Sequence, residues 1–214
     1  MKIYKLPKVI RALVFDIDLT LYDNRDYDEA QKDLLVHRLS EYLRRPFEEI
    51  AKEVAEIKDE FKRLNQGKEL SLGNTFLQFG ISIDESVNWR RELFKPEEFF
   101  EPDLNLIQTM EKLQKRYKLN AVTNNPTIIG RKTLQALGIE AYFPHVIGLD
   151  VSGESKPTMK PFFMLSEKLQ ISLNEMVSIG DRFAVDLELP LANGLGGILV
   201  EKISDVYDLP TILH

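Results

Sequence analysis

Val9-Ile10-Arg11-Ala12-Leu13-Val14-Phe15 runs directly into Asp16-Ile17-Asp18-Leu19-Thr20. The first part is apolar apart from Arg11 and too short for a helix that buries a stripe, so it reads as a buried strand. The second part sets two carboxylates and a hydroxyl in the loop at that strand's end. Further short apolar runs lie at 119–123, 145–149, 176–180 and 197–200. Between them Ile107, Met110, Leu113 and Tyr117 form one helical stripe, residues 127–137 a second helix stopped by Gly138, and 161–169 a third. Strands alternating with helices predict an α/β fold with a doubly wound, mostly parallel sheet.

The rhythm differs between the first two strands. Phe47, Ile50, Val54, Ile57, Phe61 and Leu64 step by three and four behind Pro46, and Leu35, Leu39 and Tyr42 or Leu43 do the same one helix earlier. Gly67, Gly73 and Gly80 then divide the chain into shorter pieces, the last at 84–94. The expected organisation is a core of residues 1–22 and 103–214 with a helical insertion at 23–102.

A chain of 214 residues with 43% hydrophobic and 29% charged residues has the balance of a globular protein large enough to fold without a staple. Its net charge of −6 argues against a nucleic-acid partner. The absence of cysteine removes disulfides, thiolate catalysis and Cys-ligated zinc, and fits an expected cytoplasmic location. No signal-peptide-length apolar run opens the chain and no 18-residue apolar run follows, so no membrane association is expected. His37, His145 and His214 match no ligand spacing. Nothing in the sequence indicates an oligomeric state.

In open parallel sheets, ligands bind beyond the carboxyl ends of the strands. There the chain carries Asp16 and Asp18, then Thr123 and Asn124, then Asp181 and Asp186, with Ser155-Lys156-Pro157 in the loop after the intervening strand. Each group alone has an ordinary explanation: an Asx turn, a helix cap, a solvated lysine. Their joint occurrence, in this order, points to one chemical site.

The set Asp16-x-Asp18-x-Thr20, Thr123-Asn124, Lys156-Pro157 with Phe162, and Gly180-Asp181 followed by Asp186 resembles the haloacid dehalogenase superfamily. The nearest branch is that of phosphatases with a helical cap inserted after the first motif, similar to phosphoglycolate phosphatases and nucleotidases. The resemblance implies a magnesium-dependent phosphatase acting on a small phosphorylated metabolite through an aspartyl-phosphate on Asp16. It further implies Mg2+ held by Asp16, Asp181 and the backbone carbonyl of Asp18, with Asp186 orienting metal-bound water. Asp18 would serve as acid and base, Lys156 would balance the charge of Asp16 and of the phosphoryl group, and Thr123 and Asn124 would hold that group. Dehalogenases and phosphonatases of this superfamily do not keep an aspartate where Asp18 stands, so phosphoester chemistry is favoured. A phosphomutase of the β-phosphoglucomutase type and a catalytically silent binding protein remain the alternatives.

Two departures accompany the resemblance. Met159 stands where a second proline is usual, and Lys160-Pro161 competes with Lys156-Pro157 as the motif lysine; the position of Phe162 favours Lys156. Pro190 falls where the helix after Asp186 would ordinarily continue, which predicts a short or late helix. In the insertion, Tyr22 at its edge, Asn74, Arg90 and Arg91 are the candidate substrate contacts, with a solvated helix face as the other reading of the arginines. With 13 basic against 19 acidic residues at 23–102, the insertion carries the whole net charge of −6. An acidic lid disfavours polyphosphates and favours a small monophosphate.

Overall fold

The chain opens with two short strands, β1 (Lys2–Lys5) and β2 (Ala12–Phe15), followed by helices α1 (Arg25–Leu43), α2 (Phe47–Leu64), α3 (Leu72–Leu77) and α4 (Ile83–Leu93). From α5 (Leu104–Gln114) onward, strands and helices alternate: β3 (Lys118–Val122), α6 (Thr127–Ala136), β4 (His145–Ile147), α7 (Leu149–Ser152), α8 (Lys160–Leu169), β5 (Met176–Gly180), α9 (Glu188–Ala192) and β6 (Gly196–Leu199). Helices α10 (Ile203–Tyr207) and α11 (Leu209–Ile212) close the chain. The computed structural model describes all residues except 66, 68, 69 and 214, so His214 lies outside the described residues. Among the described residues no helix is long and apolar enough to cross a membrane.

The strands form one sheet in the order β1-β6-β5-β2-β3-β4, parallel except for β1, which runs antiparallel to β6. Successive side chains of β2 point to opposite faces. Leu13 and Phe15 therefore join Leu106, Met110 and Val206 on one side, while Ala12 and Val14 join Phe162 and Leu165 on the other. Burial on both faces is why this strand reads as a continuous apolar run. Phe15 pairs with Ala121 of β3 and with Ile179 of β5, so the three central strands end level and their loops emerge side by side.

The five expected strands are all present, with shifted ends. β2 starts only at Ala12, and β4 stops at Ile147, where the chain turns into α7. The edge strand β1 was not foreseeable from periodicity: its four residues are all exposed, with a lysine at each end, which is how an edge strand discourages further pairing. After β5, a π-helical turn at Phe183–Leu187 passes straight into α9. Pro190 lies inside that five-residue helix and has no N–H for the Asp186 carbonyl four residues back, which accepts the Ser178 hydroxyl instead; the helix is short but does not start late.

Helices α1 to α4 surround a hydrophobic cluster of their own, including Leu35, Leu39, Ile50, Val54, Phe76, Trp89 and Phe94, to which α6 contributes Ile129. Asn24 caps α1 by accepting the Tyr27 N–H at 3.0 Å, and Ser82 caps α4 by accepting the Glu85 N–H at 3.1 Å. Tyr27, although inside the insertion, packs against Tyr22, Phe99 and Phe100 with the sheet-side core.

One ion pair ties α4 to the sheet layer: Arg91 meets Asp150 of α7 at 2.9 Å. The same carboxylate accepts the Thr127 N–H at 2.8 Å and the Thr127 hydroxyl at 2.9 Å. It thereby caps α6, which follows Pro126 and has no cap from its own preceding side chain. Partial burial works to raise the pKa of Asp150, but the Thr127 bonds and Arg91 outweigh it and hold the carboxyl below its ordinary value. A folded pKa below the unfolded one gives stability that is complete above the unfolded value of about 4 and is lost as pH falls through the folded value. Asp150→Ala should therefore cost about 1–2 kcal/mol at neutral pH. In urea melts the gap from the parent should close in acid, and a gap that does not change with pH would contradict this role.

Candidate active site

Asp16 follows the last residue of β2 and is anchored there by its N–H, which donates to the Ile179 carbonyl at 2.8 Å. Its side chain is buried against Lys156. The Lys156 ammonium donates to Asp16 Oδ1 at 2.8 Å, to Asp186 Oδ1 at 2.7 Å and to the Val122 carbonyl at 3.0 Å, so all three of its protons are placed. Lys156 is itself only 2% exposed, a burial that a lysine tolerates only when paired. Asp186 reaches this point because the π-helical turn swings it back toward β5. It accepts the Arg182 N–H at Oδ2, and its backbone carbonyl accepts the Ser178 hydroxyl at 2.8 Å. Gly180 is required by the same approach: a Cβ there would lie 2.5 Å from the Asp186 Cβ.

Burial, followed by the charge of Asp186, pushes the Asp16 carboxyl up to about 7, against the pull of Lys156. Asp181 is likewise raised to about 6 by burial, with Arg182 opposing. Burial disfavours the Lys156 charge, yet Asp16 and Asp186 outweigh it and hold the ammonium above its usual range. The cluster thus has more carboxylate than nearby cation to balance it. Arg182 supplies a further positive charge from above, 3.8 Å from Asp16 Oδ2 and 3.7 Å from Asp181 Oδ1.

Oxygens of Asp16, Asp181 and Asp186 lie within 4.8 Å of one another. Asp16 Oδ2 and Asp181 Oδ1 are buried without a hydrogen-bond donor, whereas both Asp186 oxygens have one. Converging carboxylates with no nitrogen or sulfur ligand among them suit a hard divalent cation such as Mg2+. The residues present therefore fit that ion, with Asp16 and Asp181 offering oxygens that accept no hydrogen bond and have only the more distant Arg182 guanidinium beside them.

Above this floor lies Asp18. Tyr22 donates to its Oδ1 at 2.9 Å, the Thr123 hydroxyl to its Oδ2 at 3.1 Å, and Asn125 Nδ2 to both oxygens at 3.2 and 3.1 Å. Leu19, next in sequence, has φ +57°, a left-handed conformation that is costly for a branched side chain and that sharpens the turn carrying Asp18. Asp18, Asn124, Asp181 and Arg182 line a cleft of about 300 Å³ whose other wall comes from the α1–α4 segment, including Arg25, Gln31, Lys32, Lys58, residues 70–73 and Arg90. That volume is at the small end for a ligand site.

The structure brings Asp16, Asp18, Thr123, Asn124, Lys156, Asp181 and Asp186 together at the carboxyl ends of β2, β3 and β5. Lys160 lies apart: it is exposed and pairs with Glu154 at 3.3 Å. Asn124 brackets the Lys156 backbone, accepting its N–H at 2.7 Å. Of the four candidates associated with the insertion, only Arg90 lines the cleft. Arg91 is turned outward to Asp150, and Asn74 offers its N–H to the Ser71 cap at 3.2 Å. Tyr22 is buried among aromatic rings and touches Asp18, away from the cleft wall; burial, then the charge of Asp18, raises its pKa well above the usual value.

Asn125 and Gln31, which join each other at 3.0 Å, and Arg182 were not singled out from the sequence. Asn125 was within reach of that reading, being the residue after Thr123-Asn124 in the same strand-end loop. Gln31, a polar residue in a helix, carried no such signal.

The haloacid dehalogenase-like hydrolase family profile matches residues 10–192 of the chain. A 5-amino-6-(5-phospho-D-ribitylamino)uracil phosphatase of Escherichia coli K12 is 24% identical over 91% of this chain and 85% of that protein. A phosphoglycolate phosphatase of the same organism is 30% identical over 80% of this chain and 74% of its own length. Among solved structures, a HAD phosphatase from Thermococcus onnurineus superposes with a TM-score of 0.64 at 22% identity, covering 95% of this chain and 98% of that one.

Proposed function

Because the chain belongs to the haloacid dehalogenase-like hydrolases and is a phosphatase of that family, we propose that it hydrolyses a small phosphate monoester in two steps, with Asp16 as the nucleophile. The observation that carries this reading is the Lys156 ammonium buried between Asp16 and Asp186, beneath a cleft that presents Asp18. Such an arrangement is expensive to build for stability alone. It is what an anionic nucleophile needs when its target is itself an anion.

In the first step a carboxylate oxygen of Asp16 attacks phosphorus in line with the leaving oxygen, and Asp18 gives its proton to the departing alkoxide. In the second, Asp18 takes a proton from water as that water attacks the aspartyl-phosphate, and Asp16 is released. Tyr22, Thr123 and Asn125 fix the orientation of Asp18 through both steps. Lys156 offsets the charge on Asp16 and on the phosphoryl oxygens, helped by the Asn124 N–H. The Thr123 hydroxyl, whose proton goes to Asp18 in this structure, would have to turn to join them. Mg2+ held by Asp16 and Asp181, with the Asp18 carbonyl, would neutralise charge between nucleophile and phosphate, and Asp186 would orient its water. Residues 23–102 act as a cap over the core of 1–22 and 103–214, excluding water from the phosphoryl group.

The two bacterial relatives differ in leaving group, one being named for a phosphorylated carboxylic acid and the other for a phosphorylated ribitylaminouracil. The family resemblance therefore supports a small phosphomonoester and leaves its remaining part to the cleft. Purified protein should hydrolyse para-nitrophenyl phosphate with magnesium and lose essentially all turnover on chelation, with recovery when the ion is returned. Full activity in chelator would contradict the metal requirement, and inertness with every divalent cation would contradict the phosphatase reading.

A further inference from the structure

We propose that Gln31 is a positioning residue for the reaction: acting through Asn125, it keeps the proton of Asp18 directed at the leaving oxygen of the substrate. Helix α1 then does more than wall the cleft, because it also sets the acid of the first step. The inference rests on the phosphatase reading above, in which the P–O bond to the leaving group breaks as the Asp18 proton passes to the departing oxygen.

Tyr27, Gln31, Leu35 and Leu39 follow one another at intervals of four along α1 and are all buried. Residues four apart share one face of a helix, so Gln31 occupies a place in a stripe that is otherwise aromatic or aliphatic. It is 8% exposed and lines the cleft together with Asp18 and Asn125. Stability does not account for a carboxamide there. Its Nε2 is buried without a hydrogen-bond partner among the described residues, a cost that an apolar side chain of the same length would avoid. What the side chain does is accept, at Oε1, a proton of Asn125 Nδ2 at 3.0 Å.

Asn125 Nδ2 has two protons to place. One goes to Gln31, and the other is shared by the two Asp18 oxygens at 3.2 and 3.1 Å. The Gln31 carbonyl can only accept, so it fixes which end of the Asn125 amide faces Asp18. An Asn125 amide turned over would set two carbonyl oxygens against each other and would present Oδ1 to Asp18. That matters most when Asp18 is protonated, as the first step requires. A carboxylate selects the NH2 end by itself, whereas a protonated carboxyl can equally give its O–H to an amide oxygen. Held by Gln31, Asn125 stays a donor in both states and does not take the proton that the leaving alkoxide needs. The Asn125 backbone is fixed separately: its N–H donates to the Thr123 hydroxyl at 3.0 Å, and its carbonyl accepts the Leu149 N–H at 3.0 Å. The side-chain amide is the part left to turn, and Gln31 stops it.

The test compares two esters that share an aromatic ring and a phosphate but differ in what the leaving oxygen needs. Para-nitrophenolate departs without a proton, whereas benzyl phosphate expels a basic alkoxide that must receive one. Because kcat/KM covers only the steps up to release of the leaving group, it reads the acid and not the later base. Gln31→Met should raise the ratio of kcat/KM for para-nitrophenyl phosphate to that for benzyl phosphate by roughly 10–100-fold, part of what a general acid contributes. Gln31→Glu keeps an acceptor for Asn125 and should restore most of the parent ratio, since any repulsion from its charge acts on both esters alike. Asn125→Ala should reproduce the effect of Gln31→Met, and the double variant should go no further. An unchanged ratio in Gln31→Met, as a merely structural role predicts, overturns the inference. So does a Gln31→Glu variant that rescues nothing, or a double variant in which the two effects multiply. If Gln31→Met does not fold by circular dichroism, Gln31→Ala carries the same comparison. A parent enzyme that cleaves neither ester with any divalent cation contradicts the phosphatase reading, and the inference with it.

Discussion

Asp16→Asn should reduce turnover of any phosphate monoester by roughly a thousandfold or more while leaving the fold in place. The substitution is nearly isosteric, and an amide oxygen can still accept the Lys156 proton that Asp16 Oδ1 accepts at 2.8 Å. What disappears is the nucleophile, since an amide does not form the acyl-phosphate. The stability side runs in favour of the variant. Burial and then Asp186 already push the Asp16 carboxyl up to about 7, so removing its charge relieves a crowded site. The expected pattern is a Tm equal to or above that of the parent with kcat near background. Activity within tenfold of the parent would remove Asp16 as nucleophile, and a collapsed fold would show that Asp16 is needed chiefly for packing.

Lys156→Met should do the opposite to stability. The ammonium is the common partner of Asp16 and Asp186 at 2.8 and 2.7 Å, in a place where neither acid has water to replace it. Removing one member of a buried ionic set typically costs about 3–5 kcal/mol, because the charges left behind are uncompensated. Catalysis should fall by at least a hundredfold at the same time, through loss of charge balance on the nucleophile. A double-mutant cycle separates the two effects. Adding Asp186→Asn to Lys156→Met should recover a large part of the lost stability, as expected for groups in direct contact, and none of the lost activity. Urea melts that show less than about 1 kcal/mol for Lys156→Met would mean that the lysine is not the counter-ion of the site.

Much of this arrangement is legible in the sequence because the sheet is parallel. A buried parallel strand must be a short apolar run, and its ligand-binding end must be the polar residues that interrupt it, so Asp16, Thr123 and Asp181 announce themselves by position. Lys156 was distinguishable from Lys160 by its spacing to Phe162, and the structure buries the first while leaving the second half exposed beside Glu154. The insertion resisted such reading. Arg90 and Arg91 are adjacent on α4 and chemically identical, and a rotation of about 100° per residue decides which one faces the cleft. Only the packing of that helix on α1 and α7 settles it, turning Trp89 and Arg90 inward and Arg91 out to Asp150. Gln31 was equally hidden, because its burial follows from contact with Asn125 across 94 residues of sequence. Strand β1 escaped for a different reason: an exposed edge strand has no buried face to impose a hydrophobic pattern.

Asp16 should be phosphorylated during turnover. Enzyme mixed with para-nitrophenyl phosphate and magnesium, quenched in acid within a single turnover, digested and weighed by mass spectrometry, should carry one added phosphoryl group on the peptide containing Asp16. Borohydride should reduce that residue to homoserine. Continued hydrolysis with no phosphorylated peptide at any quench time, or with the group on a different residue, would contradict the account.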